Sequence, residues 1–400
     1  MKKVLTIFLI FNLLFISCKE EPKKENVPVK NSEFADLLKT YSEGKLKLNP
    51  TDATFIGDSR FDDSFPNVLS DGYQRERDAF HTKYVSKLED FKDSDLTESE
   101  QMSKAVMAWD CKMALAQYSF KNDVYMPINQ MWTINLIMTQ WASGTSAQPF
   151  KTVENYNNWL KRLDQYNVWL QTAEERMKEG IEKGYVLPKS LITKVIPQFD
   201  ALTTVKTSAE GITDVSEHLY YAPILAFPDS FSSENKEQLT EAYTKILMEK
   251  LLPSFRSMAF FLKSNYLSAG RESSGISDIP NGKAYYNHAI KFYTTTTMTA
   301  DEIHDLGLKE VTRILTEMEK VKQQVGFNGE LKEFFNYVRG NKELMPYTDP
   351  QEIIDNFNVI HNKMKPQLKK LFSNKPKAGF IVKQTEKFRE ASASAQYNPG

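Results

Sequence analysis

Cysteine, histidine and excess charge of either sign are all scarce in this sequence. Its 400 residues hold two cysteines and five histidines, and the formal net charge is -1. Two thiols, Cys18 and Cys111, cannot build a disulfide framework, nor can they supply a cysteine-based metal site. A balanced charge offers no basic face for a phosphate backbone, so nucleic acid is not an expected partner. His81, His218, His288, His304 and His361 are scattered along the chain. No H-E-x-x-H occurs among them, and there is no P-loop, G-x-S-x-G or G-x-G-x-x-G elsewhere. Alternating strand patterns are nearly missing too. The best is "KAGFIVKQ", residues 377–384, and it predicts a minor β sheet near the C-terminus.

Long apolar runs are missing except at the start. Lys2 and Lys3 precede an apolar run from Val4 to Ile16, then Ser17 and Cys18. A basic start, a short apolar core and a small residue at the cut site read as a secretory signal. The run falls short of the ~20 residues that span a bilayer. The cysteine after "LLFIS" resembles a bacterial lipobox, which implies cleavage before Cys18 and lipidation of its thiol. The other reading is an unlipidated signal followed by a chance cysteine. "KEEPKKENVPVKN" is too charged to bury a core and forms a tether. The expected organisation is a signal peptide over 1–17, a lipidated tether over 18–31 and a helical domain over 32–400. The membrane is then a partner through the lipid, and the cell envelope is the location, on the periplasmic or surface side of the outer membrane.

What is present is apolar spacing at the helical period. The chain is 41% hydrophobic and 26% charged, enough for a large core. Phe34, Leu37, Leu38 and Tyr41 share one face of a helix over 32–41. Glu98–Tyr118 repeats the pattern through Met102, Val106, Trp109, Met113 and Leu115. A long helix is predicted over 152–183, with Gly184 as its stop. Another is predicted over 233–266, bent where Pro253 removes a donor. The fold class is therefore mainly α. Cys111 lies on an apolar helical pattern and reads as a small core residue.

"TTTTMTADEIHDLG", residues 294–307, holds the most informative histidine. Thr299 and Glu302 form T-x-x-E, a capping box that starts a helix ending at Gly326. Glu302 is thereby explained without catalysis, and the stiff threonines before it predict extended chain through "FYTTTTM". His304 sits in the first turn, where the helix dipole disfavours an imidazolium. Its only ligand-spaced carboxylate is Asp301, a weak metal pattern. Asp62 and Asp63 in "SRFDDSF" read as a turn.

From "IGDSRFDDS" onward the chain resembles the bacterial domain of unknown function 885 family, whose members look like two-lobed helical zinc peptidases. The resemblance runs through "PINQMW", "WLKRL", "MKEGIEKGYVLPKSLI", "TTTTMTADEIHDLGLKEVTRILTEME", "GFNGELKEFFNYVR" and "ASAQYNPG". In the family the last element leads to an H-E-x-x-P-G-H-H motif, which this sequence does not reach. The resemblance implies a zinc-dependent peptidase or carboxypeptidase acting on a peptide substrate. In such a site zinc polarises the scissile carbonyl and lowers the pKa of its water, and a glutamate takes the proton. Those groups lie in the segment this chain lacks, so catalytic and metal residues are expected to be none here, with zinc expected for the full-length family and none for this chain. His304 matches the family's E-I-H position, and Tyr397 is close in sequence to where the catalytic segment begins. Both are therefore candidates for the substrate cleft. The rival expectation is a non-catalytic, lipid-anchored helical binding protein.

Overall fold

The computed structural model describes residues 30–397 except 132, 145, 209, 210, 374, 378, 385–394 and 396. Cys18, with the signal and most of the tether, lies outside them. The described chain is mainly α-helical. Its longer helices are α1 (Ser32–Leu48), α2 (Asp71–Leu88), α3 (Glu98–Tyr118), α4 (Val153–Lys183) and α5 (Lys189–Ala201). They are followed by α6 (Ser233–Ile246), α7 (Leu252–Phe261), α8 (Gly282–Thr294), α9 (Ala300–Gln324), α10 (Leu331–Gly340) and α11 (Pro350–Met364). No helix among the described residues is long and apolar enough to cross a membrane.

Local chemistry sets most of these boundaries. Thr97, Thr152 and Thr299 each accept a hydrogen bond from the third helical amide, and the residue at that position bonds back to the threonine amide. Each box satisfies two amides that a helix start leaves bare. Gly184, at φ 79°, ends α4 in the left-handed region that a side chain disfavours. The predicted helix over 233–266 is not continuous α. It widens to π-helical turns at Leu247–Leu251 and Leu262–Tyr266, on either side of α7. Pro253 explains the first, because its ring cannot donate to the Glu249 carbonyl and would crowd it in a regular turn.

Two expectations are corrected. Phe292, Tyr293 and Thr294 are the last turn of α8 rather than extended chain, and Thr295 reverses direction at φ 55°. The minor sheet is not near the C-terminus. It is an antiparallel pair, β1 (Lys206–Ser208) with β2 (Gly211–Asp214). The described residues of "KAGFIVKQ" form no strand. A lone alternating segment has no ladder partner there, and a strand without one leaves its backbone groups unpaired.

Buried side chains form two clusters. The larger is built on α4, whose Tyr156, Trp159, Leu163, Tyr166, Leu170, Ala173 and Met177 meet Phe199, Tyr220, Tyr243, Phe255 and Tyr266. The smaller joins Phe34, Leu37 and Tyr41 of α1 to Tyr84, Leu88, Met107 and Cys111 of α2 and α3. Beyond residue 282 the pattern changes. Of the described residues in α9, α10 and α11, Phe334 alone is buried.

Candidate functional site

The structure places the candidate residues on open surface. His304 is exposed on the first turns of α9, and Tyr397 is 75% exposed. No hydrogen bond or ring contact joins either of them to another described residue. The His361 ring lies tilted against Phe380 and the His288 ring against Phe120.

The chemistry-bearing groups that do assemble are inside the body. Arg162, on the buried face of α4, is fully enclosed. It donates to the Ser64 and Phe61 carbonyls at 3.2 and 2.8 Å, to Thr54 Oγ1 at 3.0 Å and to Gln148 Oε1 at 2.6 Å. Thr54 in turn donates to Asp62 Oδ1 at 2.6 Å, and that oxygen lies 3.8 Å from Arg162 Nη1. Burial lowers the guanidinium pKa to about 10, with Asp62 and Asp63 opposing the drop. Asp62 does follow a short turn, Ser59–Phe61, but it is 2% exposed. It is the counter-ion that lets a cation sit in the core. A buried pair of this kind fixes geometry more than it adds stability: it clamps the segment 54–65 onto α4.

A second polar seam runs between α1, α2 and α3. The Tyr41 hydroxyl donates to Asp110 Oδ2 at 2.5 Å, Lys45 Nζ donates to the same oxygen at 2.6 Å, and Cys111 Sγ lies 3.5 Å from the Tyr41 oxygen. Burial raises the Asp110 carboxyl, but the hydrogen bonds from Lys45 and Tyr41 outweigh it and hold the group below its ordinary value. Burial also pushes the Cys111 thiol up, which keeps it protonated and unreactive. Next to it, His81 Nδ1 is 2.9 Å from the Arg77 carbonyl and 3.1 Å from the Tyr118 hydroxyl. A carbonyl only accepts, so Nδ1 carries the proton. Desolvation lowers this histidine's pKa. His218 is the most completely satisfied of the five: Nε2 donates to the Leu202 carbonyl at 2.9 Å and Nδ1 accepts from the Tyr220 amide at 3.1 Å. Burial lowers its pKa as well.

Sequence reasoning missed both clusters. Arg162 carried a readable sign, since it falls between Trp159 and Tyr166 on the stripe that otherwise holds the apolar residues of α4. The Asp110 seam had none, because its members come from three helices. Two surface recesses of about 240 Å³ each are also present, one against Glu174, Pro253 and Ser257, the other among Asp71, Arg75, Lys121 and Arg176. Both are smaller than the ~300–1,000 Å³ that small-molecule sites occupy. Among the described residues no group of three or more His, Cys, Asp or Glu is placed to hold a metal ion. These residues do not fit a zinc site.

Comparison with known proteins gives one family and a fold. The sequence pattern of the family described as "Bacterial protein of unknown function (DUF885)" matches residues 50–400. No curated protein matches. A crystal structure described as "the putative lipoprotein from Colwellia psychrerythraea" is similar at a TM-score of 0.77 and 18% identity, over 92% of this chain. The chain spans 64% of that protein's length.

Proposed function

Because the chain belongs to the DUF885 family of bacterial proteins, we propose that it is the helical front part of a cell-envelope lipoprotein with zinc-dependent peptidase chemistry. The groups that perform that chemistry belong to polypeptide outside these 400 residues. The observation that carries this reading is the length of the solved relative: this chain covers 64% of a chain of similar fold. The order of motifs from "IGDSRFDDS" to "ASAQYNPG" supports it, since in the family that order leads to the zinc motif.

In this reading the described residues bind, shape and hold. The Arg162–Asp62 clamp and the Asp110 seam keep the body rigid, and His304 and Tyr397, both open to solvent, remain candidates for the wall of a peptide cleft. The helix Ser32–Leu48 precedes the family match, yet Phe34 and Leu37 share a core cluster with Tyr84 and Cys111. That packing supports a domain beginning near residue 32.

The test compares two polypeptides, this chain and one continued along its reading frame. The expected result is stoichiometric zinc and chelator-sensitive peptide hydrolysis in the longer one alone. Zinc bound by the short chain and lost in His304→Ala would reverse the assignment. A longer polypeptide that binds peptides without cleaving them would favour the binding-protein reading. Cys18→Ala should leave the protein unprocessed or release it from membranes. Wild-type protein found fully soluble with its signal removed would end the lipoprotein reading.

A further inference from the structure

Helices α9 and α11 each carry a heptad seam that no described residue covers. On α9 and its C-cap the residues Val311, Ile314, Met318, Val321 and Val325 follow each other at steps of three and four, and all are between 37 and 61% exposed. On α11 Ile353, Phe357, Ile360 and Met364 do the same, between 41 and 54% exposed. Alternating steps of three and four keep one apolar line facing a partner along several turns, which is the spacing of knobs entering the holes of another helix. A solvated face has no use for it. Since both lines stay exposed, neither helix closes the other's seam.

From this geometry we infer that the two seams are docking lines for amphipathic helices of the same polypeptide that lie outside these 400 residues. The inference rests on the reading that the chain is part of a longer protein, and it adds which surface receives the remainder and in what form. The available length agrees: with 64% of the Colwellia chain spanned, 36% of it has no counterpart here. A second copy of this chain could also lay seam on seam, but it would leave that length unplaced. The incoming helices should carry apolar residues at the same alternating spacing, with no charged residue on the line.

Hydrogen exchange, a hydrophobic dye and mass measurement in solution decide it on the short and the continued polypeptides. The short chain is expected to be monomeric, to bind bis-ANS and to exchange its amides over 311–325 and 353–364 quickly. In the continued polypeptide those amides should slow by about a hundredfold or more, as segments joined to a cooperative core do, and dye binding should be lost. Ile314→Asp and Ile360→Asp give an independent reading. Each should leave the short chain's helicity and melting unchanged, because the side chains are exposed there, and should lower the melting temperature of the longer one. A dimeric short chain that either substitution dissociates would overturn the inference in favour of a second copy. So would seams that remain unprotected in the longer polypeptide, or a reading frame that stops at Gly400. Protected seams without zinc or hydrolysis would sink the peptidase reading and leave this one standing.

Discussion

α4 and α9 are the two longest α-helices among the described residues, at 31 and 25 residues, and both begin in a threonine capping box. Both also carry apolar side chains at the spacing of one helical face. Eleven residues of α4 are buried and none of α9. Local chemistry does not separate them, since cap, period and length are alike. The difference lies in what stands opposite. α4 faces α6, α7 and the segment 54–65, which supply both apolar side chains and the carbonyls that satisfy Arg162. α9 meets α10 at one end and solvent along the rest of its stripe. An amphipathic pattern states that a partner is needed, and only the arrangement of other elements states whether it has been met.

The comparison can be broken hardest in the α4 core. Trp159 is fully buried and donates from Nε1 to the Tyr243 hydroxyl at 2.7 Å. Trp159→Ala should cost about 3–5 kcal/mol in a urea titration. A cost below about 1 kcal/mol would mean that α4 is not the centre of the core.

Acid should distinguish the two regions next. His81 and His218 are held below the ordinary histidine pKa by burial, so below pH ~6.5 the unfolded chain binds protons that the folded body does not. Stability of the body is therefore present in full above that pH and falls as pH drops from about 6.5 towards the depressed folded values. His218→Gln and His81→Gln should make the fall shallower over that window in pH-dependent denaturation. Profiles as steep as wild type in both variants would show that neither buried ring carries the fall.

The capping boxes offer a matched pair with a smaller effect. Loss of an N-cap oxygen costs about 0.5–2 kcal/mol. Thr152→Ala should take that from global stability, whereas Thr299→Ala should appear only as faster amide exchange within 300–324. Equal global losses in the two variants would show that α9 unfolds together with the body. The smallest expected effect is at the exposed stripe itself: Leu315→Ala should stay within about 0.5 kcal/mol of wild type by chemical denaturation.

Much of the helical layout was readable from residues. α3 runs over Glu98–Tyr118 as predicted, although it buries Met107, Cys111 and Met113 and leaves Met102 and Val106 of the predicted face exposed; Gly184 ends α4, the Thr299–Glu302 box opens α9, and Cys111 is a core thiol. Each of these depends on neighbours within about one turn, the range over which caps and side-chain spacing act. The strand pair at 206–214 and the π-helical turn at Leu262–Tyr266 were not readable, whereas Pro253 marked the break at Leu247–Leu251. A strand pair needs two segments to meet, and a widened turn depends on what crowds the helix from outside. The cleft candidates fared differently from the buried clusters. His304 and Tyr397 were chosen for their place in a motif order, and both are exposed. Asp62 and Arg162, 100 positions apart in sequence, showed no relation until the fold enclosed them.

The sequence by itself determined where helices start and stop, which faces are apolar, and that the chain is mainly α. Those properties follow from backbone amides needing nearby acceptors and from the 3.6-residue period, and both are local. The tertiary structure alone decided which apolar faces are closed and which charges are buried together. It put Arg162 with Asp62 in the core and left the seams of α9 and α11 open to water. Burial is a relation between distant segments, and its free energy depends on the area that another surface removes from solvent, which no single stretch of residues contains.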